Sequence, residues 1–279
     1  MKRKRIATIA VVLISVIGLT LLLYPSISDY INSTAQSRAI ADYLEDIANL
    51  DPDICDRCIS EAMEYNKSLA GGVRQYHLDS NQADKYPDML RTSEGEVMGY
   101  LEIPRINCFL PIYRWSDEND LTVAAGHVEW SSLPVGGTSS HCVIAGHRGI
   151  PSSKFFTALD QMEVGDTFFI RVLDLILTYE VDQVQIVEPD EISALTIEPD
   201  KDLCTLTVCT PYGFHPHRVL VQGVCIENAE DVSTIQVTPD SIRIEPLSVV
   251  LLASLLLLIL LLVLNIKKKH KQEKTDLKK

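Results

Sequence analysis

The sequence predicts a mainly β domain, a closed barrel or sandwich, behind an N-terminal helical segment and between two apolar runs. Three observations carry this. From residue 97 to 226, about eight short β-prone runs alternate with turn residues, without the longer helical patterns of a parallel α/β sheet. Residues 26–70 mix apolar and charged side chains at helical spacing. Residues 6–24 carry no charge, and residues 247–266 are almost purely aliphatic.

The chain opens on Lys2-Arg-Lys-Arg5, and Ile6 to Tyr24 follows. That run is close to the ~20 residues that an α-helix needs to cross a hydrocarbon core. It reads as an uncleaved anchor (1–25), because Pro25-Ser-Ile-Ser28 lacks a small-x-small cleavage site. A cleaved secretory signal is the alternative. Within 26–96, the segments Ala35 to Leu50 and Asp53 to Leu69 read as helix, and Gly71-Gly72 stops the second. Residues 71–96 are polar, contain Pro87 and Gly95, and read as a loop.

Expected strands in the domain 97–226 are Met98 to Ile103, Cys108 to Tyr113, His141 to Ala145, Thr167 to Val172, Ile176 to Val181, Gln183 to Val187, Leu203 to Val208 and Val219 to Val224. A stalk (227–246) leads to a second apolar helix (247–266) and a basic tail (267–279) that opens on Lys267-Lys-Lys269. Cations flank both apolar runs on the same side, so the positive-inside bias predicts both termini in the cytoplasm and the β domain outside.

The chain is formally −13, yet eleven of its 25 cations lie in residues 2–5 and beyond 266. Residues 25–266 keep 14 Lys and Arg against 36 acids (38 less Glu273 and Asp276), near −22. Such a domain is a poor nucleic-acid binder, because phosphate contacts need Lys/Arg clusters. Seven cysteines could suggest a disulfide framework, but the number is odd and the chain is long enough to bury a core without staples. At least one thiol stays unpaired, and Cys209 is the candidate.

The chemistry-bearing stretch is Thr205-Leu-Thr-Val-Cys209-Thr-Pro-Tyr-Gly-Phe-His-Pro-His-Arg218. A β-prone run ends at a thiol, breaks at Pro211 and Gly213, and returns as Val219 to Val224, which reads as a hairpin with Cys209 and Arg218 near its strand tips. A second turn, Ala145-Gly-His147-Arg-Gly149, leaves an imidazole accessible between glycines. A nearby imidazolium or guanidinium favours a thiolate, and acyl transfer needs an acid for the leaving amine and a donor for the oxyanion. His147, Cys209 and Arg218 supply one group for each task.

Residues 97–226 resemble the sortases, membrane-anchored cysteine transpeptidases of Gram-positive bacteria. Thr205-Leu-Thr-Val-Cys209 resembles the TLxTC signature, with Val208 where threonine is usual. Met98-Gly-Tyr-Leu-Glu-Ile-Pro104, Leu110-Pro-Ile-Tyr113, Gly126-His-Val-Glu, Ser132-Leu-Pro-Val-Gly-Gly137 and Cys209-Thr-Pro-Tyr-Gly213 are similar to the class C, pilus-assembling branch, as is the C-terminal anchor. The resemblance implies an eight-stranded β-barrel with a transmembrane helix at each end. It implies that Cys209 is the nucleophile, His147 the general acid/base and Arg218 the stabiliser of substrate and oxyanion. The implied substrate is an LPxTG-like sorting signal, joined to a pilin lysine amine; attachment of surface proteins to peptidoglycan is the alternative within the family. No metal or organic cofactor is implied. A membrane-tethered, non-enzymatic β scaffold explains the anchors but not the Cys/His/Arg set.

Other groups read as structural. His127 resembles a structural histidine, and His215 and His217 read as loop residues. Cys55 and Cys58 have CxxC spacing without a second ligand pair, which weakens a zinc reading. Cys204 lies five residues before Cys209, so alternation turns it to the opposite face, into the core. Cys108, Cys142 and Cys225 read as small core hydrophobes. The Asp-Pro-aromatic lid motif of class C enzymes has no clear match: Asp51-Pro-Asp53 comes early and Tyr86-Pro-Asp88 scrambles the order. A lid in residues 71–92 therefore lacks an identifiable plug residue.

Overall fold

The computed structural model describes residues 2–70, 78, 80–91, 96–114, 125–146, 156–189, 191–209 and 217–227. The chain divides into one unit made of Met1–Ser28 with Asp240–Lys279, and a second unit, Asp29–Pro239, that holds the β domain. Helix α1 (Lys2–Ala48) includes Pro25, and α2 (Pro52–Ala70) follows after a short turn. Among the described residues no helix is long and apolar enough to cross a membrane. Residues 247–266, expected to span one, lie outside the described residues.

Eight strands close into a barrel in the order β1-β2-β3-β4-β7-β8-β6-β5. They are β1 (Val97–Ile103), β2 (Cys108–Arg114), β3 (Ala125–His127), β4 (Ser140–Gly146), β5 (Thr167–Val172), β6 (Leu175–Val187), β7 (Asp202–Cys209) and β8 (Arg218–Ile226). Two expectations need correction. The runs Ile176 to Val181 and Gln183 to Val187 are one strand, β6, whose pairing with β8 shifts register around Asp182. The eighth strand is β3, a three-residue segment with a glycine at its centre, too short to alternate visibly. The stretch read as loop also holds a short helix α3 (Ser80–Lys85) and a 3-10 turn, Tyr86–Asp88.

Alternation puts Leu101, Ile103, Ile112, Ile144, Ile170, Leu206, Val208, Val219 and Val221 in one continuous core with Phe156, Phe168 and Tyr179. Gly223 lies where a Cβ would come within 2.8 Å of Phe168, and Gly146 where one would come within 2.7 Å of the Phe156 ring. Both are close-packing glycines. Helix α2 buries Cys55, Ile59, Ala62, Tyr65 and Asn66, a stripe with the helical three- and four-residue spacing. Asn66 clamps the segment after β3 by accepting from the Leu133 amide (2.7 Å) and donating to the Leu133 carbonyl (3.0 Å). Helix α1 covers the other face of β1 through Ile40 and Tyr43 against Tyr100. The Tyr43 hydroxyl donates to the Met98 carbonyl and accepts from the Leu173 amide, both at 2.8 Å, which ties the helix to two barrel elements.

Cys108, Cys142 and Cys204 are core residues as expected, and Cys225 is half-buried against the same core. Burial raises the thiols of Cys108 and Cys204 well above the ordinary range and pushes Cys225 up to about 11, so these three are inert neutral thiols at physiological pH.

Candidate active site

The barrel brings the ends of three strands together. β7 and β8 pair antiparallel, with Cys209 opposite Arg218, Val208 opposite Val219 and Thr207 opposite Leu220. β4 runs parallel to β7 on its other side and ends with Gly146 opposite Val208. The hairpin read from the sequence is therefore present, and Cys209 and Arg218 are direct register partners at its tip. His147 follows Gly146 in the chain but lies outside the described residues, as does His215. The description of Cys209 extends to its backbone.

Arg218 is half-buried, and its Nε is buried without a hydrogen-bond partner among the described residues. Val208, the position where the signature has threonine, belongs to the barrel core at 2% exposure. An apolar β-branched side chain there costs no unpaired hydroxyl, which accounts for the departure.

On the opposite face of β4, β7 and β8, Val143, Leu195 and Leu220 form a second, buried apolar cluster, covered by Val128, Trp130, Val187 and Ile192. Here His141 donates from Nδ1 to the Thr196 carbonyl (2.9 Å), so neutral Nε2 accepts from the Thr205 hydroxyl (2.8 Å). The ring pins the β6–β7 connection to the sheet. Sequence reasoning missed this pair, whose members lie 64 residues apart.

Burial lowers the pKa of His141, against opposing effects of the Thr196 carbonyl and of Glu198 and Asp182. The stability that this neutral ring contributes is therefore complete above about pH 6.5 and is lost as pH falls through the lower folded value. Thermal unfolding across pH 7 to 4 checks this. The melting temperature should fall more steeply on acidification in the native chain than in His141→Gln; equal slopes contradict the assignment.

His127 is fully buried. Its Nε2 donates to the Ser132 carbonyl at 2.8 Å, and its Nδ1 accepts from the Tyr86 hydroxyl at 2.9 Å, with the two rings stacked. Both nitrogens are committed to holding loops, so this ring has none free to act as a base. Tyr86, from the scrambled Tyr86-Pro-Asp88 motif, is thereby a buried anchor. His217 stands beside Glu188, at 3.3 Å. Cys55 is buried and Cys58 half-buried on α2.

A family model for the sortase domain matches residues 101–226. Sortase D of Bacillus subtilis is 30% identical over 148 residues, covering 52% of this chain and 72% of that protein. The chain belongs to the sortase family. It is a sortase cysteine transpeptidase, and its fold is similar to that of sortase C enzymes. The crystal structure of sortase C1 from Streptococcus agalactiae is 41% identical, with a TM-score of 0.66, over 69% of this chain and 100% of that one. A Clostridium perfringens sortase C, solved with the C-terminal cell wall sorting motif, is 40% identical with a TM-score of 0.59, over 68% of this chain and 98% of that one. In this sortase the signature segment is β7, and the arginine that follows it opens β8.

Proposed function

We propose that this sortase polymerises pilin subunits at the outer face of a membrane. In this reading the Cys209 thiolate attacks the threonine carbonyl carbon of an LPxTG-like signal, and the Thr–Gly bond breaks. His147 protonates the departing glycine amine, leaving a thioacyl enzyme. A pilin lysine amine then gives up a proton, attacks the thioester and releases the Cys209 thiol, so one isopeptide bond replaces one peptide bond. Arg218 donates to the oxyanion that forms in each half. The observation that carries the reading is the pairing of Cys209 with Arg218 beside the end of β4, the strand that leads into His147. The C. perfringens sortase C solved with the C-terminal cell wall sorting motif supports a sorting signal as the ligand class.

The test is to incubate the full chain with a pilin that bears an LPxTG-type signal and an acceptor lysine. An isopeptide-linked ladder is expected; hydrolysis without a ladder contradicts pilin joining. Transfer to peptidoglycan-precursor amines instead would reassign the enzyme to wall attachment.

The apolar runs 6–24 and 247–266 are proposed to anchor the chain, with both basic ends inside. Protease added to intact cells should then remove an epitope on the barrel and spare a tag on either terminus. Loss of a terminal tag under the same treatment contradicts this topology.

A further inference from the structure

We propose that the Thr207 hydroxyl binds substrate, hydrogen-bonding the main chain of the peptide held for transfer; this rests on the transfer site described above. Thr207 is 4% exposed, and its Oγ1 is buried with no hydrogen-bond partner. A buried hydroxyl left unpaired destabilises the folded chain. Thr205, the same residue type two positions earlier on the same face, has its hydroxyl satisfied by His141. The apolar alternative is also present on this strand, since Val208 fills the adjacent position toward the core. Among the described residues, none partners the Thr207 hydroxyl.

A second orphan stands beside the first. Arg218 Nε is likewise buried without a partner, and Arg218 sits diagonally across the β7–β8 ladder from Thr207. One face thus offers an N–H donor and a hydroxyl, both unused, next to the strand ends that carry position 209. Positions 207 and 209 are two residues apart, about 6.6–6.8 Å along a strand. Carbonyls on one side of an extended peptide repeat at that same spacing. A peptide with its reacting carbonyl at Cys209 and its chain along β7 therefore brings another main-chain carbonyl to Thr207, where the hydroxyl donates to it. The hydroxyl reads peptide backbone and thereby fixes register.

The test compares Thr207→Val, Thr207→Ser and Cys209→Ala in the full chain. Each is assayed by thermal melting and by cleavage of an internally quenched peptide containing Leu-Pro-Glu-Thr-Gly. In Thr207→Val the melting temperature should rise by about 2–4 °C, because an unpaired buried hydroxyl is removed. Its kcat/KM should fall about five- to tenfold, mainly through KM. Thr207→Ser should keep kcat/KM within about threefold of the native chain, because the donor is retained. A higher melting temperature with unchanged cleavage overturns the proposal. So does a lower melting temperature with proportionate loss of activity, or equal loss in the serine and valine variants. Full cleavage by Cys209→Ala would overturn the transfer site itself, a failure distinct from that of Thr207.

Discussion

Cys209→Ala should abolish both cleavage of an LPxTG-type peptide and formation of pilin ladders, a loss on the order of 10⁴-fold or more. The size of the effect follows from the chemistry: without sulfur there is no acyl acceptor, and the residual binding site cannot split the reaction into two easier steps. The variant should fold normally. Position 209 is the last residue of β7, and the core contributions of that strand come from Cys204, Leu206 and Val208, which alanine at 209 leaves intact. The informative comparison is with Cys204→Ala. Cys204 is fully buried, and burial raises its thiol well above the ordinary range, so its removal should lower stability while transfer continues. A Cys204→Ala enzyme that folds but has lost transfer would contradict the division of labour between the two thiols.

Arg218→Ala should lower kcat by about 10²–10³-fold, the range seen when one donor to a developing oxyanion is removed. Lysine should not restore it. A lysine ammonium is a point charge on a flexible stem, whereas the guanidinium presents a planar fork, and the buried group in this arginine is its Nε. Arg218→Lys is thus expected to stay within about tenfold of the alanine variant. A stability change should be small by comparison, because the Nε has no hydrogen-bond partner among the described residues to lose. Full activity in Arg218→Lys would show that charge alone suffices and that the fork geometry is irrelevant.

Much of this architecture was legible because most strands are buried nearly throughout and so read as short apolar, β-prone runs. Such runs, bounded by turn residues, mark β1, β2, β4, β5, β7 and β8 in the sequence, and the Pro/Gly break after Cys209 marks the hairpin. β3 escaped because three residues, Ala125-Gly-His127, are too few to show a period and include no β-branched side chain. β6 was read as two strands because Asp182 interrupts its apolar run exactly where the ladder shifts register, a local event that leaves the pairing on both sides intact. Helix α3 escaped because its six residues, Ser-Asn-Gln-Ala-Asp-Lys, are polar but for one alanine and carry no apolar stripe.

At the site, the Cys209–Arg218 pairing was legible because it is local to one hairpin. The His141–Thr205 and Tyr86–His127 bonds were not, since each joins polar residues far apart in the chain, and sequence periodicity contains no information about which distant groups meet. Thr207 was visible in principle. Once Val208 is assigned inward, alternation turns Thr207 toward the face of position 209, but only the structure reveals that its hydroxyl is unpaired while that of Thr205 is bonded.

The chemistry proposed here requires a covalent acyl group on one particular sulfur. The direct measurement is mass spectrometry of the full chain quenched in acid during turnover of an LPxTG-type peptide, followed by proteolysis. The expected result is a hydroxylamine-labile adduct, with the mass of the peptide truncated after threonine, on the fragment containing Cys209 and on no other cysteine. Turnover with every cysteine unmodified under conditions that trap thioesters, or an adduct on Cys58 or Cys225 in place of Cys209, would contradict it.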